Sequence, residues 1–184
     1  MSTDIMLDLE TTGTRAGCCL LAIGACTIDE KYTFYRTISW NSCKEAGLKD
    51  SPGTLAWWDK QSPEARREAF SGIDLLTEVL GEFSDWFSML ERTLGTPIFV
   101  WGNGADFDLP ILSAAYDVVN MKQPWAPFNG RCYRTLKNLP YNKDIKPPEF
   151  EGLKHNALSD ALHQSRHMLK ILRETKQKDM FLLK

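Results

Sequence analysis

Asp8 and Glu10 lie two residues apart in the apolar run Ile5-Met-Leu-Asp8-Leu-Glu10. If that run is a strand, period-two alternation puts both carboxylates on one face and Ile5, Leu7 and Leu9 on the other. Two hard oxygen donors aimed into one cleft suit Mg²⁺ or Mn²⁺, which favour carboxylate and water ligands. The run continues into Thr11-Thr12-Gly13, a turn that would bring backbone N–H groups towards a bound molecule. Leu9, Thr11 and Thr12 are therefore candidate contacts. An Asp-x-Glu is common by chance, and its plain alternative is a strand end with a solvated acidic face.

Two further segments carry the same type of group. Asn103-Gly-Ala-Asp-Phe107-Asp108 follows the apolar run Ile98–Trp101 and precedes Leu109-Pro-Ile-Leu. Asp108 offers a third carboxylate at the mouth of a helix, with Asp106 its rival. Asn103 is placed to orient the loop or a ligand, and Phe107 to pack beneath it. His155-Asn-Ala-Leu-Ser-Asp160 opens the last helical stretch. Asp160 would ligate from a rigid first turn, and His155, just outside it, has the intrinsic basicity to take a proton near neutral pH. The plain alternative is a histidine at a helix start with an acid that complements the macrodipole.

Other chemistries fit less well. Gly102-Asn-Gly104-Ala-Asp-Phe107 is close to a dinucleotide-binding G-x-G-x-x-G, but Phe107 fills the third glycine position. No acid stands about 20 residues on, where that fingerprint needs one. His163 and His167 are spaced i,i+4, yet position 164 is Gln and no H-E-x-x-H exists. They read as surface residues beside a core stripe.

The elements that must position these groups follow from periodicity. Ile5–Leu9, Cys18–Ile28 and Tyr32–Ile38 read as strands of an antiparallel meander with a turn at Asp29-Glu-Lys31. Thr54–Gln61 and Pro63–Phe70 read as short helices capped by Ser51 and Ser62. Leu76, Val79, Leu80, Phe83, Trp86, Phe87, Leu90 and Leu94 mark one face of a helix over Ile73–Leu94. Ile98–Trp101 reads as a buried strand, Leu109–Asn120 as a helix, and Cys132–Leu136 as a short strand. Pro140–Lys154 reads as a loop, in which Lys143, Lys146 and Lys154 are candidate phosphate contacts. Ala157–Lys176 is the final helix. The pattern predicts one α/β domain over residues 1–184: a mixed β-sheet, three antiparallel strands plus parallel ones, flanked by α-helices.

Composition bounds the partners. The 184 residues are 43% hydrophobic and 25% charged, with net charge −2. A coat that grips long duplexes through many phosphates would carry excess Lys and Arg, so a nucleic-acid partner implies a short, local contact such as one strand end. Five cysteines without a C-x-x-C pair read as reduced core thiols. No signal segment or long apolar stretch is present, so the expectation is a cytoplasmic protein with no membrane contact.

Together, Asp8-Leu-Glu10-Thr-Thr-Gly, Asn103-x-x-x-Phe107-Asp108 and His155-x-x-x-x-Asp160 resemble the DEDDh family of 3′–5′ exonucleases in the ribonuclease-H-like superfamily. Trp57-Trp58-Asp-Lys-Gln61 is similar to the small phage and mycobacterial exoribonuclease-like branch. The resemblance implies two Mg²⁺ or Mn²⁺ ions bound by Asp8, Glu10, Asp108 and Asp160, with His155 as general base. It implies release of nucleoside 5′-monophosphates from the 3′ end of single-stranded RNA or DNA. Trp57, Trp58 and Phe107 are the candidate stacking platforms for terminal bases. A homodimer is the assembly to test. Ser159 departs from the pattern where relatives often carry another acid, and Tyr141–Lys154 has no clear counterpart. The competing function is a binding module on the same fold without turnover, which would have no use for a general base.

Overall fold

The computed structural model describes residues 3–182, with side chains through residue 175. In chain order the strands are β1 (Thr3–Thr11), β2 (Leu20–Thr27) and β3 (Thr33–Thr37). Helices α1 (Trp40–Glu45), α2 (Pro52–Trp58), α3 (Pro63–Ala69) and α4 (Leu76–Leu94) follow. Then come β4 (Ile98–Gly102), α5 (Asp108–Val118), β5 (Gly130–Cys132), α6 (Tyr133–Asn138) and α7 (Ala157–Leu182). The five-stranded sheet has the order β3-β2-β1-β4-β5. β3, β2 and β1 are antiparallel neighbours, while β4 and β5 run parallel to β1. This is the mixed sheet the sequence predicts.

Alternation along β1 divides the interior in two. Ile5, Leu7 and Leu9 point into the larger core with Val79, Leu80, Phe83, Phe87 and Leu90 of α4 and Ile111, Leu112 and Tyr116 of α5. Met6 points the other way, into a smaller core with Cys26, Tyr133 and Ala161 and Met168 of α7. Asp8 and Glu10 continue the Met6 face towards the α7 side. A third cluster joins Leu21 to Trp58 of α2 and Ala69 of α3.

β1 is longer than its parallel neighbour. Pairing with β4 covers only Thr3–Met6, whereas pairing with β2 runs to Thr11. The carboxyl half of β1 therefore has open space on the β4 side, the crevice position that favours ligands in parallel sheets. Gly24 pairs with Asp8, and a Cβ there would lie 2.2 Å from the backbone carbon of Ala157. Only hydrogen on Gly24 lets the first turn of α7 descend onto the sheet beside the acidic pair.

Several boundaries differ from expectation. α4 begins at Leu76, because Glu78 reaches back to accept from the Leu75 backbone N–H at 3.0 Å, and Ile73 is left exposed. α1 has no strong periodic signal and was not expected. Cys132–Leu136 is mostly helix: β5 stops at Cys132, whose Sγ accepts from the Thr135 N–H at 3.3 Å and starts α6. His167 is buried, not a surface residue, because Tyr133 Oη and the Ile145 carbonyl hold its two ring nitrogens at 2.6 and 2.7 Å. Ser51 and Ser62 cap α2 and α3 as expected. All five cysteines are free thiols. Among the described residues no helix is long and apolar enough to cross a membrane.

Gly24→Ala should lower stability by about 1–3 kcal/mol through overpacking and displace α7 from the acidic face. Urea unfolding and activity measured on the same preparation check this. A wild-type midpoint with full activity would show that the contact between α7 and β2 is not tight.

Candidate active site

The open end of β1, the loop after β4 and the start of α7 enclose a cleft of about 700 Å³. Asp8, Glu10, Asp160 and His155 line it, and Asp108 is fully buried at its inner edge. One ligand-type atom from each of Glu10, His155 and Asp160 lies within 4.8 Å of the other two. Asp106 is exposed on the outside of the loop, so Asp108 is the acid that turns inward.

Local sequence explains how each group arrives. Asp108 opens α5, and its Oδ2 accepts from the Asn103 N–H at 2.6 Å. A Cβ on Gly102 would lie 2.9 Å from both Asp108 Cβ and Oδ2. The glycine of the motif thus makes room for the carboxylate, not for a cofactor phosphate. Asp160 Oδ2 accepts from the His155 backbone N–H at 3.0 Å, and Asn156 Oδ1 accepts from Ser159 N at 3.0 Å and Ser159 Oγ at 3.1 Å. Ser159, where relatives often carry an acid, therefore helps close the first turn. His155 has φ 62°, a left-handed conformation uncommon for a residue with a side chain. Such strain costs of order 1–3 kcal/mol and persists only where surrounding contacts enforce it. Here those contacts are the Asp160 carboxylate and the ring of Trp57, whose centroid lies 4.9 Å from the imidazole at 83°.

The acids raise one another's proton affinity. Burial, then the charges of Asp108, Glu10 and Asp160, hold Asp8 well above the usual carboxylate range, although Gln164 pulls it back. Burial and the charges of Asp160 and Asp108 push Glu10 up to about 8. Burial takes Asp108 to about 7 against the N–H groups of Asn103, Asp108 and Leu9 and the charge of Arg134. Asp160 is also raised by burial. Asp108 Oδ1 and Gln164 Oε1 are buried without a hydrogen-bond partner. Four convergent oxygen donors, repelling charges and an orphaned carboxylate oxygen fit a site for hard divalent cations.

The remaining residues expected at the substrate are placed unevenly. Leu9, Thr11, Asn103 and Phe107 line the cleft. Thr12 does not: it is fully buried and its hydroxyl donates to Asp50 Oδ1 at 2.7 Å, because the chain turns inward after β1. Trp58 is 2% exposed and donates from Nε1 to the Thr11 carbonyl at 2.8 Å, so it holds α2 against the strand end. Trp57, 42% exposed, is the indole of the pair that offers surface to a ligand. Lys143, Lys146 and Lys154 are not among the residues that line the cleft.

Two cleft residues that act on the acids, Arg134 and Gln164, escaped the sequence reading. Arg134 is the one Lys or Arg on the described wall, and it donates from Nε to Asn103 Oδ1 at 3.4 Å. Its segment read as a strand, which hid its direction. Gln164 donates from Nε2 to Asp8 Oδ1 at 2.7 Å. Its only sequence signal is the i+4 spacing from Asp160, which places both on one helix face.

The raised carboxylates give a pH prediction. In metal-free protein the folded state keeps protons on Glu10 up to about 8 and on Asp108 up to about 7, whereas the unfolded chain releases them in the ordinary carboxylate range. Between those limits the folded state binds more protons, so stability falls as pH rises. Thermal midpoints of chelated protein should therefore drop between about pH 4.5 and 8, and saturating Mg²⁺ or Mn²⁺ should flatten the drop. Asp8→Asn should raise the metal-free midpoint at the alkaline end. A chelated protein with a level profile would contradict this electrostatic account.

A family model described as the 3′-5′ exoribonuclease Rv2179c-like domain matches residues 3–172. Among solved structures, the nuclease domain of 3′hExo, a DEDDh family member bound to rAMP, superposes with TM-score 0.63 at 15% identity, over 94% of this chain and 92% of that one. A full-length 3′-exonuclease gives 0.60 at 15% identity, over 95% and 83% of the two chains. A 3′-exonuclease in 3′-end specific recognition of histone mRNA stem-loop gives 0.62 at 14%, over 94% and 64%. At these identities the likeness shows a common fold. Comparison with curated protein sequences finds no match. The family match covers nearly the whole described chain, which belongs to the Rv2179c-like 3′-5′ exoribonuclease domain family and is a metal-dependent 3′-5′ exonuclease on the DEDDh fold.

Proposed function

We propose that the enzyme removes nucleoside 5′-monophosphates one at a time from the free 3′ end of single-stranded RNA. The observation that carries this reading is the placement of His155. Its backbone is locked to Asp160, and its ring reaches into the cleft within 4.8 Å of the Glu10 and Asp160 ligand atoms. A module that only binds has no use for an imidazole strained into that position. The RNA preference is supported by the family description and by the RNA 3′ end recognised by one structural relative.

Asp8, Glu10, Asp108 and Asp160 would hold two Mg²⁺ or Mn²⁺ ions. When bound, such a pair stabilises the attacking and leaving oxygens of an in-line displacement. His155 takes the proton from the attacking water. The new P–O bond forms as the bond from phosphorus to the 3′ oxygen breaks, and that oxygen leaves on the shortened strand, taking up a proton from solvent to become a 3′-hydroxyl. Gln164 holds Asp8 Oδ1 in place from the neighbouring helical turn. Trp57 offers its exposed indole to the terminal base, and Arg134, at the opposite wall, meets a phosphate.

Asp8→Ala should nearly abolish digestion of a 3′-labelled oligoribonucleotide. His155→Ala should slow it by about 10²–10⁴-fold while calorimetry still detects Mn²⁺ binding. Wild-type rates for Asp8→Ala would defeat the assignment. Trp57→Ala should weaken oligonucleotide binding about tenfold irrespective of sequence. Trp58→Ala should instead lower the unfolding midpoint. Equal affinity for Trp57→Ala and wild type would remove the stacking role.

A further inference from the structure

The cleft does not end at Arg134. Thr14, Phe107 and Arg134 also line an adjoining groove of about 600 Å³. That groove in turn shares Gly104, Ala105 and Cys132 with a third depression of about 440 Å³. The three form one continuous path across the surface from the acidic site to β5. Gly104, with φ 156°, lies beside Phe107 and Arg134 in the middle groove; a Cβ there would be 3.2 Å from Phe107 Cβ.

The far end of the path is built in a particular way. Arg131 lines it, with its guanidinium 4.1 Å above the Phe99 ring centroid and Nη1 donating to the carbonyls of Phe128 and Gly130 at 2.8 and 2.9 Å. The side chain is thereby held at a defined place. Phe128, in the 3-10 turn Pro127–Asn129 beside it, is 80% exposed. Arg131 is on the path and Phe128, whose carbonyl it holds, stands exposed just beyond the lining; a cation for phosphate beside a ring for a base is the pairing that single strands use. The one carboxylate on the two outer grooves, among the described residues, is Asp106.

We propose that this path is the track for the nucleotides upstream of the scissile bond. Arg134 and Arg131 meet successive stretches of the RNA backbone and Phe128 stacks on a base; Asp106 weakens the grip between them and lets the strand advance. The proposal rests on the 3′-exonuclease reading. A continuation of the substrate is the occupant because the path opens directly into the cleft through shared wall residues. A strand whose 3′ end is in the cleft must leave it somewhere, and this exit carries the arginines.

The test is kcat/KM for single-stranded RNAs from a dinucleotide to a decamer, repeated over a range of salt. For the wild type it should rise with length and then level off. Phe128→Ala and Arg131→Ala should each cut the decamer value about tenfold and leave the dinucleotide value unchanged. Arg131→Ala should also reduce the steepness of the salt dependence by about 0.7. Asp106→Asn should raise decamer affinity, an outcome that misfolding cannot imitate. Equal kcat/KM for dinucleotide and decamer, or variants that change both alike, would overturn the track while leaving the exonuclease reading intact. A wild-type enzyme that digests neither substrate overturns that reading and the track with it.

Discussion

The rest of the structure depends on four carboxylates gathered at one cleft, Glu10 and Asp108 buried and Asp8 and Asp160 half-buried. Burial raises Asp8, Glu10, Asp108 and Asp160 above the ordinary carboxylate range, and the charges of neighbouring acids push Asp8 and Glu10 further up. Left to itself, such a cluster opposes folding, since each charge disfavours its neighbours. Arg134, on the exposed rim, offsets little of it. The chain therefore builds a site whose charge is complete only with cations from solution. Metal binding and the cohesion of this end of the fold are consequently linked, because a ligand that binds only the folded state stabilises it.

That constraint explains two glycines and one helix start. Carboxylates from three distant segments meet only if the backbones carrying them approach unusually closely. Gly24 admits the first turn of α7 to the sheet, and Gly102 admits the side chain of Asp108. α7 then supplies Asp160 for the site, Gln164 to hold Asp8 and Met168 for the smaller core, all from one helix. His167 ties the same helix to Tyr133 and Ile145 from its buried side. The acidic site thus occupies the mouth of a packed interface, and packing errors along α7 propagate to the ligands.

The acids were legible in the sequence because strand periodicity and helix-start spacing fix where neighbouring side chains point. Asp8 and Glu10 share a face for that reason, and Asp108 wins over Asp106 because it begins α5. What was illegible depends on contacts between segments distant in sequence. Nothing in the small-residue run Leu20–Thr27 singles out Gly24, whose role exists only when α7 lies on it. Thr12 looks like a ligand contact from its neighbours, but the chain turns inward and its hydroxyl donates to Asp50, whereas Trp58 does line the cleft while its Nε1 holds the Thr11 carbonyl. Arg134 was hidden by reading a six-residue helix as a strand. At such lengths periodicity does not separate the two, and the capping bond from Cys132 Sγ decides.

The net charge of −2 now has a structural meaning. An enzyme that clamped long nucleic acid by charge alone would need a basic surface, and its affinity would fall steeply with salt. Here the described cleft wall carries a single cationic side chain, Arg134, and further positive charge would come from cations that the acids recruit. For a 3′-5′ exonuclease the strand end is the part of the substrate that this cleft has to admit. Asp108 is fully buried at the inner edge of the cleft and Trp58 is almost fully buried on its α2 side, so the same burial that raises the carboxylates limits the room beside them.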